Sequence, residues 1–184
     1  MQIQLREFGN DSVRIIKAKR AYDKLYFYLV RAKFALEELQ FAKTNNLLTS
    51  PQYQKGINQF VKWFNTLDNV DVVYSNVTKI LQRFEDEEVI LINDELNGEP
   101  NDYAFVVNGN AELEIHLCAA FWNINEEEDR YDTCIGTILH ELTHLVCCVR
   151  DITYDIDECQ ALASWESIDN ANNYEYYIEE FKRF

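Results

Sequence analysis

The strongest constraint on this chain is a run of apolar residues at helical spacing between Asp11 and about Lys43. Ile15, Ala18, Tyr22, Leu25, Leu29, Ala32, Leu36 and Leu39 follow one another by three or four residues. That spacing puts them on one face of a long helix, and the face must be buried against other elements. Asp11 or Ser12 can cap its start, and "TNN" at 44–46 can end it. A second helix opens at Ser50 with Pro51 in its first position, and a third is expected from about Val70 to Phe84. Only 5 glycines and 2 prolines interrupt the 184 residues, which favours helices over a turn-rich all-β fold. Residues 11–85 carry no chemically suggestive cluster and read as scaffold.

The texture then changes. "EEVILIN" (87–93) and "DYAFVVNG" (102–109) are short β-rich runs. "AELEIHLC" (111–118) alternates, with Leu113, Ile115 and Leu117 on one face and Glu114 and His116 on the other. A small sheet of two or three strands follows. "NEEEDRYD" (125–132) reads as a solvated acidic connection. Helical spacing returns from about Thr133 to Val149, from Ile156 to Glu166 and from Asp169 to Phe184. With no repeat or linker-like stretch, the expectation is one predominantly helical α+β domain over 1–184, its chemistry in the half from about 87.

A formal charge of −15 makes nucleic acid and an anionic membrane poor partners, and a basic peptide a good one. No run of about 20 apolar residues exists to span a bilayer. The N-terminus has no apolar stretch of signal-peptide length before its charges, so export by a leaderless route, residence inside the cell and prior removal of a leader all fit. Five cysteines, an odd number without a CxxC pair, fit two disulfides plus a thiol or five thiols equally. Adjacent Cys147 and Cys148 read as packed thiols.

Function is concentrated in "TILHELTHLV" (137–146). His140 and His144, four apart on a helix, can offer imidazole nitrogens to one ion, and Glu141 can reach a water beside it. This is the HExxH pattern of a zinc active-site helix. Catalytic zinc takes a third protein ligand, for which Asp151, Asp155, Asp157, Glu158 and Glu166 are candidates. On a continuing helix Asp151 would lie about 10 Å beyond His144. It can coordinate only if the helix ends near 148–150 and the chain doubles back. Glu166 could instead arrive from a second helix, and spacing alone does not choose.

Beyond the motif, four stretches resemble the aspzincin metallopeptidases, the deuterolysin and lysine-specific metalloendopeptidase family. They are "EIHLCAAFWN" (114–123), "GTILHELTHLV" (136–146), "DITY" (151–154) and "NANNYEYYIEEF" (170–181). The likeness implies a zincin-like fold and a Zn2+ site of His140, His144 and Asp151, with Glu141 as base and Tyr154 facing the scissile carbonyl. It implies a protein or peptide substrate, with Glu175 and the position of Asn172 receiving a lysine after the cut. Asn172 stands where lysine-specific members carry an acidic residue, and "CCVRD" stands where the family has a Gly-Thr pair. A broader basic preference is therefore expected. The strand at Glu114–Leu117 is expected to line the cleft, with His116 a candidate substrate contact. The competing readings are a gluzincin-like site using Glu166 and an inactive zincin-fold binding module. A short acidic metallopeptidase also fits a delivered toxin or effector with an inhibitor or immunity partner, acting as a monomer.

Overall fold

The computed structural model describes residues 2–99, 101–107, 109, 111–124 and 131–183. β1 (Gln2–Arg6) leads into α1 (Ser12–Thr44), α2 (Pro51–Phe64), α3 (Val70–Asp86) and β2 (Glu88–Asn93). β3 (Ala104–Phe105), β4 (Leu113–Leu117) and α4 (Cys134–Cys147) follow, then the short α5 (Ile156–Ala161) and α6 (Ser164–Ser167), and α7 (Ala171–Glu179).

α1 forms where the apolar spacing predicts. The Asp11 carboxylate accepts from the N–H groups of Val13 and Arg14, satisfying donors that a first helical turn leaves open. Its inward stripe, Ala18 through Leu39, is at most 4% exposed, while Ile15 is half-buried at the margin. α2 opens at Pro51 as expected, and α3 runs two residues past its predicted end.

The sheet has the order β1-β2-β4-β3, with β1, β2 and β4 parallel and β3 antiparallel to β4. β1 is a strand the sequence reading omits, although Ile3 and Leu5 alternate with Gln2, Gln4 and Arg6. Parallel pairing of β1 with β2 needs a long crossover, which α1 to α3 supply. Val89, Ile90 and Leu91 form a continuous buried run, the pattern of a central parallel strand covered on both faces. In "DYAFVVNG" only Ala104 and Phe105 pair as strand, and Asn108 lies outside the described residues. Of the acidic connection, residues 125–130 also lie outside them.

α4 is the axis of the molecule. Every residue from Cys134 to Thr143 is buried, and the helix packs on α1, α3, α7 and β4. The helix expected over 156–166 is split into α5 and α6. Asn65 and Asn69 donate from α2 and the turn after it to the carbonyls of Leu162 and Ser164, and Leu162 leaves the helical region at ψ 148. All nine residues of α7 are buried. One apolar cluster joins Phe8, α1, α2, α3, the sheet, α4 and α7 as far as Phe181. Among the described residues no helix is long and apolar enough to cross a membrane. All five cysteines are free thiols; Cys118, Cys134 and Cys159 are buried, Cys147 half-buried and Cys148 exposed. The packed-thiol reading therefore fails for Cys148, which sits in the turn that ends α4.

Leu36 lies on the fully buried stripe, so Leu36→Ala should cost about 3 kcal/mol through lost contacts and a cavity. Urea titration should show a lower midpoint at unchanged slope. Val13→Ala on the outer face, 74% exposed, should stay within about 0.5 kcal/mol of the parent.

Candidate metal centre

The site begins where α4 stops. Cys148 adopts the left-handed region (φ 56, ψ 31), and its N–H donates to the His144 carbonyl at 3.1 Å. A left-handed turn at a residue with a side chain costs on the order of 1 kcal/mol, and it reverses the chain at once. The next residues are clamped to the segment before α7. Arg150 N–H donates to Asp169 O at 2.9 Å, and Ala171 N–H to Arg150 O at 3.0 Å. The Asn170 side-chain oxygen accepts from Ile152 N–H at 2.8 Å and Thr153 N–H at 3.3 Å, while its amide donates to Thr153 O. Asp151, held in the middle, comes back over the end of the helix.

Its Oδ1 lies 3.0 Å from His140 Nε2 and 3.1 Å from His144 Nε2, and the two Nε2 atoms are 3.0 Å apart. The outer ring nitrogens have other partners. His144 Nδ1 is 2.8 Å from the Val149 carbonyl, which can only accept, so this nitrogen carries the proton. His140 Nδ1 is 3.2 Å from Glu175 Oε2. With Nδ1–H donated outward, each Nε2 turns a lone pair inward, toward the other and toward a carboxylate. Three acceptors in so small a triangle repel unless positive charge, a shared proton or a metal ion, lies among them. Zinc at 2.0–2.1 Å from each ligand would hold such atoms about 3.3 Å apart, close to the spacing found.

The electrostatics agree. Burial lowers the proton affinity of His140, but Asp151 and Glu175 outweigh it and push its pKa up to about 10, so the pocket attracts positive charge. Burial works against ionised Asp151, but its bonds to both imidazoles hold it well below the usual carboxylate range. Among the described residues, His140, His144 and Asp151 are the set of histidine, cysteine and carboxylate side chains that converges in this way.

Glu141, 6% exposed, lines the same cleft one position further round α4. Burial pushes its carboxyl up to about 7, while the imidazoles of His140 and His144 pull in the opposite sense. The Tyr154 ring stacks on His140, with centroids 5.9 Å apart and planes 17° from parallel. Its hydroxyl donates to Asp151, and burial together with that carboxylate raises its pKa.

The remaining predicted residues divide: Glu175 and Asn172 line the cleft, whereas His116 and Glu166 do not. Glu175 and Asn172 both line the cleft, but Glu175 is buried, with Oε2 accepting from Asn172 Nδ2 at 3.2 Å as well as facing His140. Its first contact is with an imidazole rather than with open solvent. Asn172 is 2% exposed, and its Oδ1 has no hydrogen-bond partner. His116 does not line the cleft: its Nδ1 is 2.8 Å from Asp94 Oδ2, and its ring stacks on Phe105 at 4.5 Å. β4 is likewise interior, because β3 covers its outer side. The strand at the sheet edge, with Ala104 to Val106 facing the cleft, is β3. Glu166 is not a ligand candidate in this geometry, since its carboxylate accepts from Ala163 N–H at 3.0 Å and caps α6.

The cleft measures about 1160 Å3. Sequence reasoning missed Asp102 and Asp132 in its wall, and the bond from Tyr176 OH to Asp132 at 3.1 Å. It also missed Gly136, whose α-carbon lies against the carboxylates of Glu175 and Glu179; a Cβ there would collide with both. Glu179 in turn accepts from Thr133 N–H at 2.9 Å and Thr133 Oγ1–H at 2.6 Å, tying α7 to the start of α4.

Two imidazoles and a carboxylate around one point, with a second carboxylate beside it in an open cleft, define a mononuclear metallohydrolase type of centre. The family profile described as lysine-specific metallo-endopeptidase, the aspzincins, matches residues 50–179, and the chain belongs to that family. A peptidyl-Lys metalloendopeptidase of Armillaria mellea is 39% identical over 70 residues, which are 35% of this chain and 19% of that protein. The match thus spans about a fifth of that relative's length. A zinc peptidase from Grifola frondosa, 19% identical, shares the fold with a TM-score of 0.66, covering 94% of this chain and 98% of that one. Zinc is the cofactor that goes with this family, and the triangle of donors fits it.

Glu175→Gln removes the charge behind His140 while keeping the side chain's shape. Zinc affinity, measured by competition with a chromophoric chelator, should fall at least about 10-fold with the thermal midpoint little changed. Gly136→Ala should displace both carboxylates and destabilise the fold by about 2 kcal/mol, read from the same urea titration as the core variants.

Proposed function

We propose that the protein is a zinc-dependent endopeptidase that cuts before a basic residue. The observation carrying this reading is the convergence of His140, His144 and Asp151 beside Glu141, all four lining one open cleft. In this reading α4 is an HExxH active-site helix. The zinc would be held by the two Nε2 atoms and Asp151; when bound, it polarises the substrate carbonyl and acidifies water.

The chain's own groups do the rest. Glu141 accepts a proton from the attacking water as its oxygen bonds to the carbonyl carbon. As the C–N bond breaks, the same carboxyl returns a proton to the amine nitrogen, leaving a free amine and a carboxylic acid that ionises. Glu141 fits the role because burial keeps its proton affinity near neutrality. The Tyr154 hydroxyl turns from Asp151 to donate to the carbonyl oxygen as that oxygen gains charge. Val149 and Glu175 hold the two imidazoles at fixed tautomers throughout. An extended substrate pairs its backbone with β3, the sheet edge facing the cleft, rather than with β4.

The preference for a basic residue rests on the wall of the cleft. The unpartnered Asn172 Oδ1 is a buried acceptor, and the carboxyl groups of Asp132 and Asp102 line the same cleft. Because Glu175 is already engaged by His140, the preference extends to lysine and arginine alike instead of demanding lysine alone.

Glu141→Gln should retain one zinc per chain and the parent's melting temperature, yet lower peptide turnover about 1000-fold. Turnover at the parent rate would remove Glu141 from the mechanism. Tyr154→Phe should reduce kcat about 100-fold with KM nearly constant. Mapping cleavage sites on a proteome-derived peptide mixture should give lysine and arginine after the cut, lost on chelation and restored by zinc. An even spread over residue types would refute the basic preference, and no cleavage at all would favour a binding module.

A further inference from the structure

The outer face of α1 carries a second pattern that the catalytic reading does not use. Phe27, Phe34 and Phe41 recur every seven residues and are 61%, 61% and 57% exposed. At about 100° per residue they fall within about 40° of one another, so they form one stripe along the helix. Between the rings, on the same face, stand Arg31 and then Glu38, both exposed. Arg31 also reaches the Phe181 carbonyl through Nη1 at 3.3 Å. Scattered exposed apolar residues are ordinary on a protein surface, whereas these three phenyl rings are aligned along one helix.

The order along this face, Phe27, Arg31, Phe34, Glu38, Phe41, identifies the occupant. Reversed end to end about Phe34, the order keeps every ring opposite a ring and brings each arginine opposite a glutamate. Phe27 meets Phe41, Phe34 meets Phe34, and Arg31 falls within one residue, about 1.5 Å along the axis, of the position facing Glu38. That is the self-complementarity of a two-fold, isologous contact. We infer that α1 is an antiparallel dimerisation helix whose partner is α1 of a second copy of this chain. This departs from the monomer expected from the sequence.

The local charges are what make a second copy fit. At −15 overall, two copies repel at long range, and the paired arginines and glutamates restrict the contact to one register. A partner with a uniformly basic face would match Glu38 and clash with Arg31. At about 100 Å2 per covered ring, the six rings of a helix pair bury about 600 Å2, below the roughly 1,000 Å2 of a stable interface, so the contact is weak. The dimer should therefore exchange with monomer as concentration is lowered. The face of α1 that packs on α4 is the opposite one, so the metal centre stays open in both states.

Sedimentation velocity on the full chain over a concentration series tests this. The parent should move from one to two chain masses as concentration rises. Phe34→Asp, which sets two carboxylates on the two-fold axis, should remain at one chain mass with unchanged helicity by circular dichroism. Arg31→Glu and Glu38→Arg should each weaken the dimer at least about 10-fold, and the double exchange should restore it. Rescue by the double exchange is a result that a general loss of folding could not produce. A parent that stays at one chain mass throughout overturns the inference, as does a double exchange no better than either single variant.

Discussion

The structure depends on one backbone event: the left-handed residue Cys148, which stops α4 one turn after His144. Had the helix continued, the carboxylate of Asp151 would have been carried down the axis, out of reach of both imidazoles. Because it stops, the freed Val149 carbonyl turns back and accepts from His144, and Arg150 pairs with the segment before α7. The same turn thus positions a candidate ligand, sets a tautomer and attaches the Asp151 loop to the segment before α7. Its local cost, on the order of 1 kcal/mol, is small beside the hydrogen bonds it makes available.

The second dependence is between α4 and α7. Thr133, Gly136 and His140 lie on the side of α4 that meets Glu179 and Glu175. Burying two carboxylates side by side is unfavourable: burial raises the proton affinity of both, joined by repulsion from Glu175 at Glu179 and from Asp132 and Asp151 at Glu175. What offsets this is the set of donors around them: Thr133 for Glu179, and His140 with Asn172 for Glu175. A glycine at 136 is needed because the carboxylates occupy the space a methyl group would take. Rigid support of this kind keeps an imidazole aimed to within a fraction of an ångström, which metal binding requires.

Much of this was legible in the sequence, for reasons that can be stated. The stripe from Ala18 to Leu39 is periodic, so α1 was readable to within a residue, with Asp11 as its cap. His140 and His144 share a face by helix geometry alone, so their convergence followed from spacing. Asp151 did not, because its position rests on a reversal at a cysteine, a residue that carries no turn signal. Resemblance to the aspzincins, not spacing, selected it over Glu166. β1 was overlooked because its partner lies more than eighty residues away, and nothing local marks a parallel strand. The role of β4 was misassigned because a two-residue strand, β3, is too short to announce itself yet takes the sheet edge. His116 was accordingly placed in a cleft from which Phe105 separates it. Asp132 could not be identified at all, since its importance arises only from the fold bringing it beside Tyr176.

The central claim, that the reversal after α4 brings a third protein ligand to the ion, is tested most directly by zinc affinities of two alanine variants measured side by side. The account predicts that Asp151→Ala loses zinc affinity by at least about 100-fold while Glu166→Ala binds zinc like the parent. Undiminished affinity in Asp151→Ala, or a comparable loss in Glu166→Ala, would contradict it.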